Sequence, residues 1–129
     1  MTNTFIHSLT VTKDDIDDMN HVNNVVYLRW VQDAAAAHWD ALASDEMKHK
    51  YAWVVLRHEI DYKNPALLND PVKAETWVSS RTGVKSVRHV RLSHAQTGVL
   101  FAEAVTTWCL LDAVTKKPRR IDSDITSIF

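Results

Sequence analysis

The run from Asn23 or Asn24 to about Ala43 constrains this chain most, because its apolar residues recur at helical spacing and nearly everything after it reads as strand. Leu28, Val31, Ala35 and Leu42 form one stripe, and Trp30, Ala34, Ala37 and Ala41 form a second beside it. Together they cover more than half of the circumference. A helix this apolar is expected to be wrapped by other structure rather than laid on a surface. Arg29, Asp33 and Asp40 mark its wet side, with Arg29 and Asp33 at i, i+4 spacing. The small residues Ala34 to Ala37 let a sheet approach closely.

The remaining elements follow from alternation and turn chemistry. Phe5 to Val11 reads as a first strand, Lys13 to Asn20 as a polar, acidic loop, and Ser44 to Lys50 as a polar connector. Strands are expected at Trp53 to Tyr62, Val72 to Arg81, Val84 to His94 and Val99 to Asp112. In the second of these Val72, Ala74, Thr76 and Val78 alternate against Lys73, Glu75, Trp77 and Ser79. Thr82-Gly83 and Thr97-Gly98 read as hairpin turns, and Asn64 to Pro71 as a loop bounded by two prolines. Ala113 to Pro118 makes a turn; the pattern of Asp122 to Phe129 does not decide between helix and strand. The expectation is one α+β domain over residues 1–129, with about five strands curled around one long helix. Long strands leave edges that need protection, and one helix cannot cover both faces of a sheet, so a symmetric dimer is expected.

Composition removes several functions. With 15 Lys and Arg against 16 Asp and Glu the formal net charge is −1, which argues against nucleic acid as a partner. The one dense basic run, Lys116 to Arg120, reads as a solvated turn. Cys109 is the only cysteine, so no internal disulfide can form, and a reducing, cytoplasmic setting is expected. No signal-peptide pattern opens the chain, and no apolar run is long enough to span a membrane. No H-E-x-x-H or Cys/His cluster occurs, so neither a metal nor another cofactor is expected.

Chemistry concentrates just ahead of the helix. Asp15-Ile16-Asp17-Asp18-Met19-Asn20-His21-Val22-Asn23-Asn24 packs three carboxylates, a His and several amides into ten residues. The free N–H groups and dipole of a helix N-terminus favour negative charge, whether a carboxylate or a developing oxyanion. The same residues can equally be caps. Asn23 reads first as a cap; His21 either orients a neighbour or is structural. In an extended loop Asp15 and Asp17 share a side and Asp18 opposes them. Asp17 is the nearer of the pair to the helix start, which leaves Asp15 to hold the loop and Asp18 in solvent. His58, His89 and His94 lie in no motif and read as structural. Arg88 shares a strand face with Val90 and Leu92, which is odd for a charge unless it snorkels or reaches a partner.

The pattern D-x-D-x-x-x-H-V-N-N-x-x-Y, running from Asp15 to Tyr27 and on into Leu28-Arg29-Trp30, resembles the hotdog-fold acyl-CoA thioesterases. The resemblance is to the 4-hydroxybenzoyl-CoA thioesterase-like branch and also to the plant acyl-ACP thioesterases. Glu59 to Tyr62 with Pro65 and Asp70, Lys85 to Val87, and Asp112 to Arg120 are similar more weakly. The resemblance implies a curved antiparallel sheet around a central helix, dimerised edge to edge and often assembled into tetramers. It implies sites at the dimer interface that take an acyl-CoA or acyl carrier protein thioester. By this resemblance Asp17 is the catalytic carboxylate, and the backbone N–H near Asn24 polarises the thioester carbonyl. Two positions depart from the pattern. Asn20 stands where Gly is frequent, and Asn tolerates a left-handed backbone. Met19 stands where the plant enzymes carry a catalytic Asn, so their extended polar network is not expected.

A thiol leaving group with a pKa of about 8.5 needs little acid help. Asp17 then acts as nucleophile or as base on water, with His21 and Asn24 beside it. The helix amides form the oxyanion hole, at about 3 kcal/mol per donor. Asn23 is a candidate substrate contact. Lys85 and Arg88, with Arg81 and Arg91 nearby, are candidates for the CoA phosphates, unless they are a solvated strand face. The alternatives are a non-catalytic acyl-CoA-binding hotdog module, or a hotdog dehydratase or hydratase, whose usual motif is absent.

Overall fold

The computed structural model describes residues 4–129. The helical run is α1, Asn24–Leu42, which lies across a five-stranded antiparallel sheet. The strands are β1 (Phe5–Thr10), β2 (Tyr51–Tyr62), β3 (Pro71–Thr82), β4 (Lys85–His94) and β5 (Leu100–Asp112), in the spatial order β1-β3-β4-β5-β2. β3, β4 and β5 form consecutive hairpins. β1 and β2 flank them as edges, because α1 carries the chain from one side of the sheet to the other. The hairpin turns hold Gly83 (φ 64°) and Gly98 (φ 77°), left-handed conformations that glycine adopts without strain.

Register shifts at Val55/Arg57, Val78/Ser80 and Leu92/Ser93 insert extra residues that raise the local twist and curl the sheet toward the helix. Alternation then sorts the side chains. Val72, Ala74 and Thr76 of β3, Val90 and Leu92 of β4, and Ala102 and Ala104 of β5 are buried. Most of them meet Val26, Tyr27, Trp30, Val31 and Ala34 of α1 in the main core.

Two expectations need correction, and one open reading is decided. Ser44 to Lys50 is not a plain connector: Asp45–Lys50 forms a short helix, α2, capped by Ser44 Oγ accepting from Met47 N at 3.2 Å. Its acids sit in the first turn and its bases in the last, which suits the dipole, yet none of its residues is buried. The tail forms one helical turn, α3 (Ser123–Thr126), and buries Ile125 against Tyr51 and Leu110. The second apolar stripe of α1 is not fully covered: Ala41 is exposed and Ala37 half-buried. Alanine favours helix whether covered or not, so its spacing overstated how far α1 is wrapped. No described helix is long and apolar enough to cross a membrane.

A polar layer lies within the helix–sheet sandwich. His38 of α1 is 1% exposed, stacks on Phe5 at 5.0 Å, and accepts a hydrogen bond at Nδ1 from Arg88 Nη1 at 2.9 Å. Burial, and then the charge of Arg88, lower its pKa from 6.5 to about 4. The unfolded chain therefore takes up a proton near pH 6.5 that the folded chain refuses until about pH 4. Stability is full above the upper value and falls between the two, by about 3 kcal/mol for this residue alone. Burial lowers the pKa of His58 as well, with the same sign. Urea midpoints at pH 7.5 and 4.5 should differ by more in the wild type than in His38→Gln. An equal loss in both would remove His38 as the cause.

Candidate active site

The acidic segment is folded by its own main chain. Asp17 N donates to His21 O at 2.8 Å, Asn20 N to Asp17 O at 3.1 Å, and Ile16 bridges Val22. Asn20 has φ 61°, the left-handed conformation that Asn tolerates best after Gly. Val22 N donates to Ala66 O at 3.0 Å, and Ala66 N to Tyr27 Oη at 2.9 Å, so the loop after β2 is fastened against the start of α1.

The three acids do different work. Asp15 is 3% exposed: Oδ2 accepts from Thr12 N at 2.9 Å and Thr12 Oγ1 at 3.1 Å, and Oδ1 from Arg29 Nη2 at 2.6 Å. Burial pushes its pKa upward, but the Thr12 amide and the Arg29 guanidinium outweigh that and hold it below the usual carboxylate value. Arg29 therefore pairs with Asp15 and not with Asp33. Asp17 is half-buried, and its Oδ1 accepts from Met19 N at 2.8 Å and His21 N at 3.3 Å. Its Oδ2 has no hydrogen-bond partner among the described residues. Asp18 is exposed. The two acids nonetheless have different surroundings: Asp15 closes a 3₁₀ turn at Lys13–Asp15 and turns to Thr12 and Arg29, and only Ile16 between them is extended.

Asn23 caps α1: its Oδ1 accepts from Val25 N at 3.1 Å. Asn24 is the first helical residue, and its N–H has no acceptor among the described residues, as expected for a first-turn donor. A cleft of about 300 Å³ is lined by Asp17, His21, Asn24, Tyr27, Tyr62 and Lys63, among others. Asp17 and the first helical residue, Asn24, thus line one cavity. His21 meets Asp17 through its backbone N–H and carbonyl; its ring makes no hydrogen bond to Asp17.

Lys85 and Arg88 line no part of this cleft. They are three residues apart on a strand and face opposite ways: Lys85 is exposed and Arg88 is 6% exposed. Burial lowers the Arg88 pKa to about 10, so it stays charged at neutral pH. It opens instead on a second cleft of about 250 Å³, between the later half of α1, the start of β2 and β5, lined by Trp39, Trp53, Trp108 and Phe129. Sequence reasoning missed Tyr62 and Lys63 at the first cleft. Tyr62 Oη donates to Asn24 O at 3.3 Å across 38 residues of chain, a contact no local pattern signals. Tyr27 was in view as the last residue of the motif.

A family model described as thioesterase-like superfamily matches residues 11–129. The chain is 25% identical over 115 residues to the long-chain acyl-CoA thioesterase FadM of Escherichia coli strain K12, covering 85% of each chain. Among solved structures it is similar to the probable thioesterase YbaW of Escherichia coli, at 25% identity and TM-score 0.80, covering 95% of this chain and 93% of that one. It has the fold of a 1,4-dihydroxy-2-naphthoyl-CoA thioesterase from Synechocystis, at 17% identity and TM-score 0.85, covering 98% and 95%.

Proposed function

Because this chain belongs to the thioesterase-like superfamily and is a thioester hydrolase, we propose that it cleaves an acyl-CoA to the free acid and CoA, with Asp17 as the reacting carboxylate. The observation that carries this reading is the cleft lined by Asp17 and by Asn24, the first residue of α1. Two backbone amides hold Oδ1 of Asp17, so the unengaged Oδ2 is the oxygen that reacts. It attacks the thioester carbonyl carbon, and the carbonyl oxygen takes the negative charge beside the Asn24 N–H. The C–S bond breaks, CoA leaves as thiolate, and water hydrolyses the resulting anhydride, restoring Asp17. Alternatively Oδ2 takes a proton from the attacking water and no anhydride forms.

FadM is named as a long-chain acyl-CoA thioesterase, which supports a CoA thioester of a largely apolar acyl group here. Thiol release measured across an acyl-CoA panel tests the reading. Binding without release would favour a non-catalytic module, and consumption of an enoyl or hydroxyacyl thioester without release a hydratase or dehydratase.

β2 is a 12-residue edge strand paired only with β5, and it exposes Val54, Leu56 and Tyr62. A long apolar edge of this kind needs a partner. A second copy paired along β2, giving a homodimer or a dimer of dimers, also closes the open side of the Asp17 cleft. Sedimentation is expected to show no active monomer; a fully active one would refute the assembly.

Lys85 lies at the Arg88 end of β4, so it remains a candidate for the CoA phosphates bound at the second copy's cleft. Lys85→Ala should raise KM several-fold, and the wild-type KM should rise with salt. An unchanged KM would move the phosphate site elsewhere, with Lys63 on the rim of the Asp17 cleft as the next residue to test.

A further inference from the structure

The cleft around Arg88 is built for more than hydrocarbon. Its walls are aromatic, yet it contains a cation with no carboxylate partner among the described residues. Arg88 makes two hydrogen bonds, to His38 Nδ1 at 2.9 Å and Thr76 Oγ1 at 3.0 Å, and both come from Nη1. Nε and Nη2 have no acceptor among the described residues. Trp108 lines the same cleft, and its indole N–H is buried without a partner. The guanidinium also lies over the Phe129 ring at 5.4 Å, but a buried cation without a counter-ion is costly, and Trp108 adds an orphaned donor to the same wall, which points to an acceptor that arrives with a ligand.

The cleft also lies in line with the reacting carboxylate. α1 and β2 run alongside each other, and three contacts mark the groove between them. Tyr62 meets Asn24 at one end, His58 meets Gln32 at 3.3 Å midway, and Trp53 meets Trp39 at 5.8 Å at the other. The Asp17 cleft occupies the first end and the Arg88 cleft the last. From Asn24 to Ala35, which lines the Arg88 cleft, the helix advances about 17 Å, roughly the length of a dozen extended carbons.

We infer that this second cleft receives the far end of the acyl group and selects acyl chains whose far end carries an oxygen acceptor, above all a carboxylate, which Arg88 and Trp108 bind. This rests on the thioesterase reading and adds a selectivity that the reading alone does not contain. A carboxylate is favoured over a hydroxyl because charge-assisted bonds to a guanidinium are about twice as strong as neutral ones. The chain between the two ends is apolar, matching the aromatic walls, and the Gln32–His58 contact must part to let it through.

The test compares kcat/KM for dodecanedioyl-CoA, 12-hydroxydodecanoyl-CoA and dodecanoyl-CoA. The wild type is expected to favour the diacid derivative over the plain chain by about tenfold, with the hydroxylated chain between. Arg88→Met should erase that ratio, Arg88→Lys should keep part of it, and Trp108→Phe should lower it several-fold. Should Arg88→Met not fold, Trp108→Phe and Arg88→Lys still decide the matter. A wild type that prefers dodecanoyl-CoA, or variants that slow all three substrates equally, would overturn the inference. If no thiol is released from any of them, the thioesterase reading has failed separately. Quenching of the Trp fluorescence by dodecanedioic acid against dodecanoic acid then decides the cleft: tighter binding of the diacid supports the inference, and equal or weaker binding overturns it.

Discussion

Asp17→Asn is expected to lower kcat by about 10² or more while leaving KM nearly unchanged. The amide keeps a carbonyl oxygen where Oδ1 now accepts from Met19 N and His21 N, so the loop retains its shape. What is lost is the free oxygen on the other side, which an NH₂ group replaces; it can neither attack a carbonyl nor accept a proton. A hundredfold loss corresponds to about 2.7 kcal/mol of barrier. A change confined to kcat marks an interaction made only in the transition state. Asp18→Asn is the internal control: Asp18 is exposed, and its variant should be nearly silent. Steady-state kinetics on both, with folding followed by circular dichroism, checks the pair. A folded Asp17→Asn enzyme of near-normal kcat would overturn the mechanism, whichever role Asp17 plays.

Asp15→Ala is expected to act on stability instead. Its carboxylate takes two hydrogen bonds from Thr12 and one from Arg29, and its carbonyl accepts from Asn23 N at 2.9 Å. Truncation leaves the Thr12 N–H and hydroxyl without their acceptor and frees Arg29, whose side chain is 56% exposed, into water. The exposed side of the pair limits the charge contribution, so the cost rests mostly on the lost cap and buried hydrogen bonds, about 2–3 kcal/mol. A fall in Tm of roughly 10 °C follows for a chain of this size. The carbonyl bond to Asn23 N is main-chain and survives, so the enzyme that remains folded should keep kcat within a few-fold. An unchanged Tm would show that Asp15 does not hold the loop. A hundredfold loss of kcat in folded protein would show that the two acids have been assigned the wrong way round.

The contrast between these two acids shows where local pattern stops. Residue types and spacing were enough for α1, for four long strands with glycines at two hairpins, and for the motif that singles out Asp17. These depend on neighbours within a turn of helix or a strand, where period and turn chemistry act directly. They were not enough to separate the surroundings of Asp15 and Asp17, because a 3₁₀ turn between Thr12 and Ile16 redirects one carboxylate toward Arg29, fourteen residues on. The inward face of Arg88 was legible from Val90 and Leu92. Its partners were not, since His38 lies fifty residues away and reaches it only when α1 packs on the sheet. The sequence by itself thus determined which long segments are helix and strand and which short motif is the candidate for the chemistry. Tertiary structure alone decided which carboxylate has a free oxygen, which loop covers the helix start, and where the buried guanidinium opens. Those properties are contacts between segments distant in the chain, and hydrogen bonding and burial exist there only after the sheet has closed over α1.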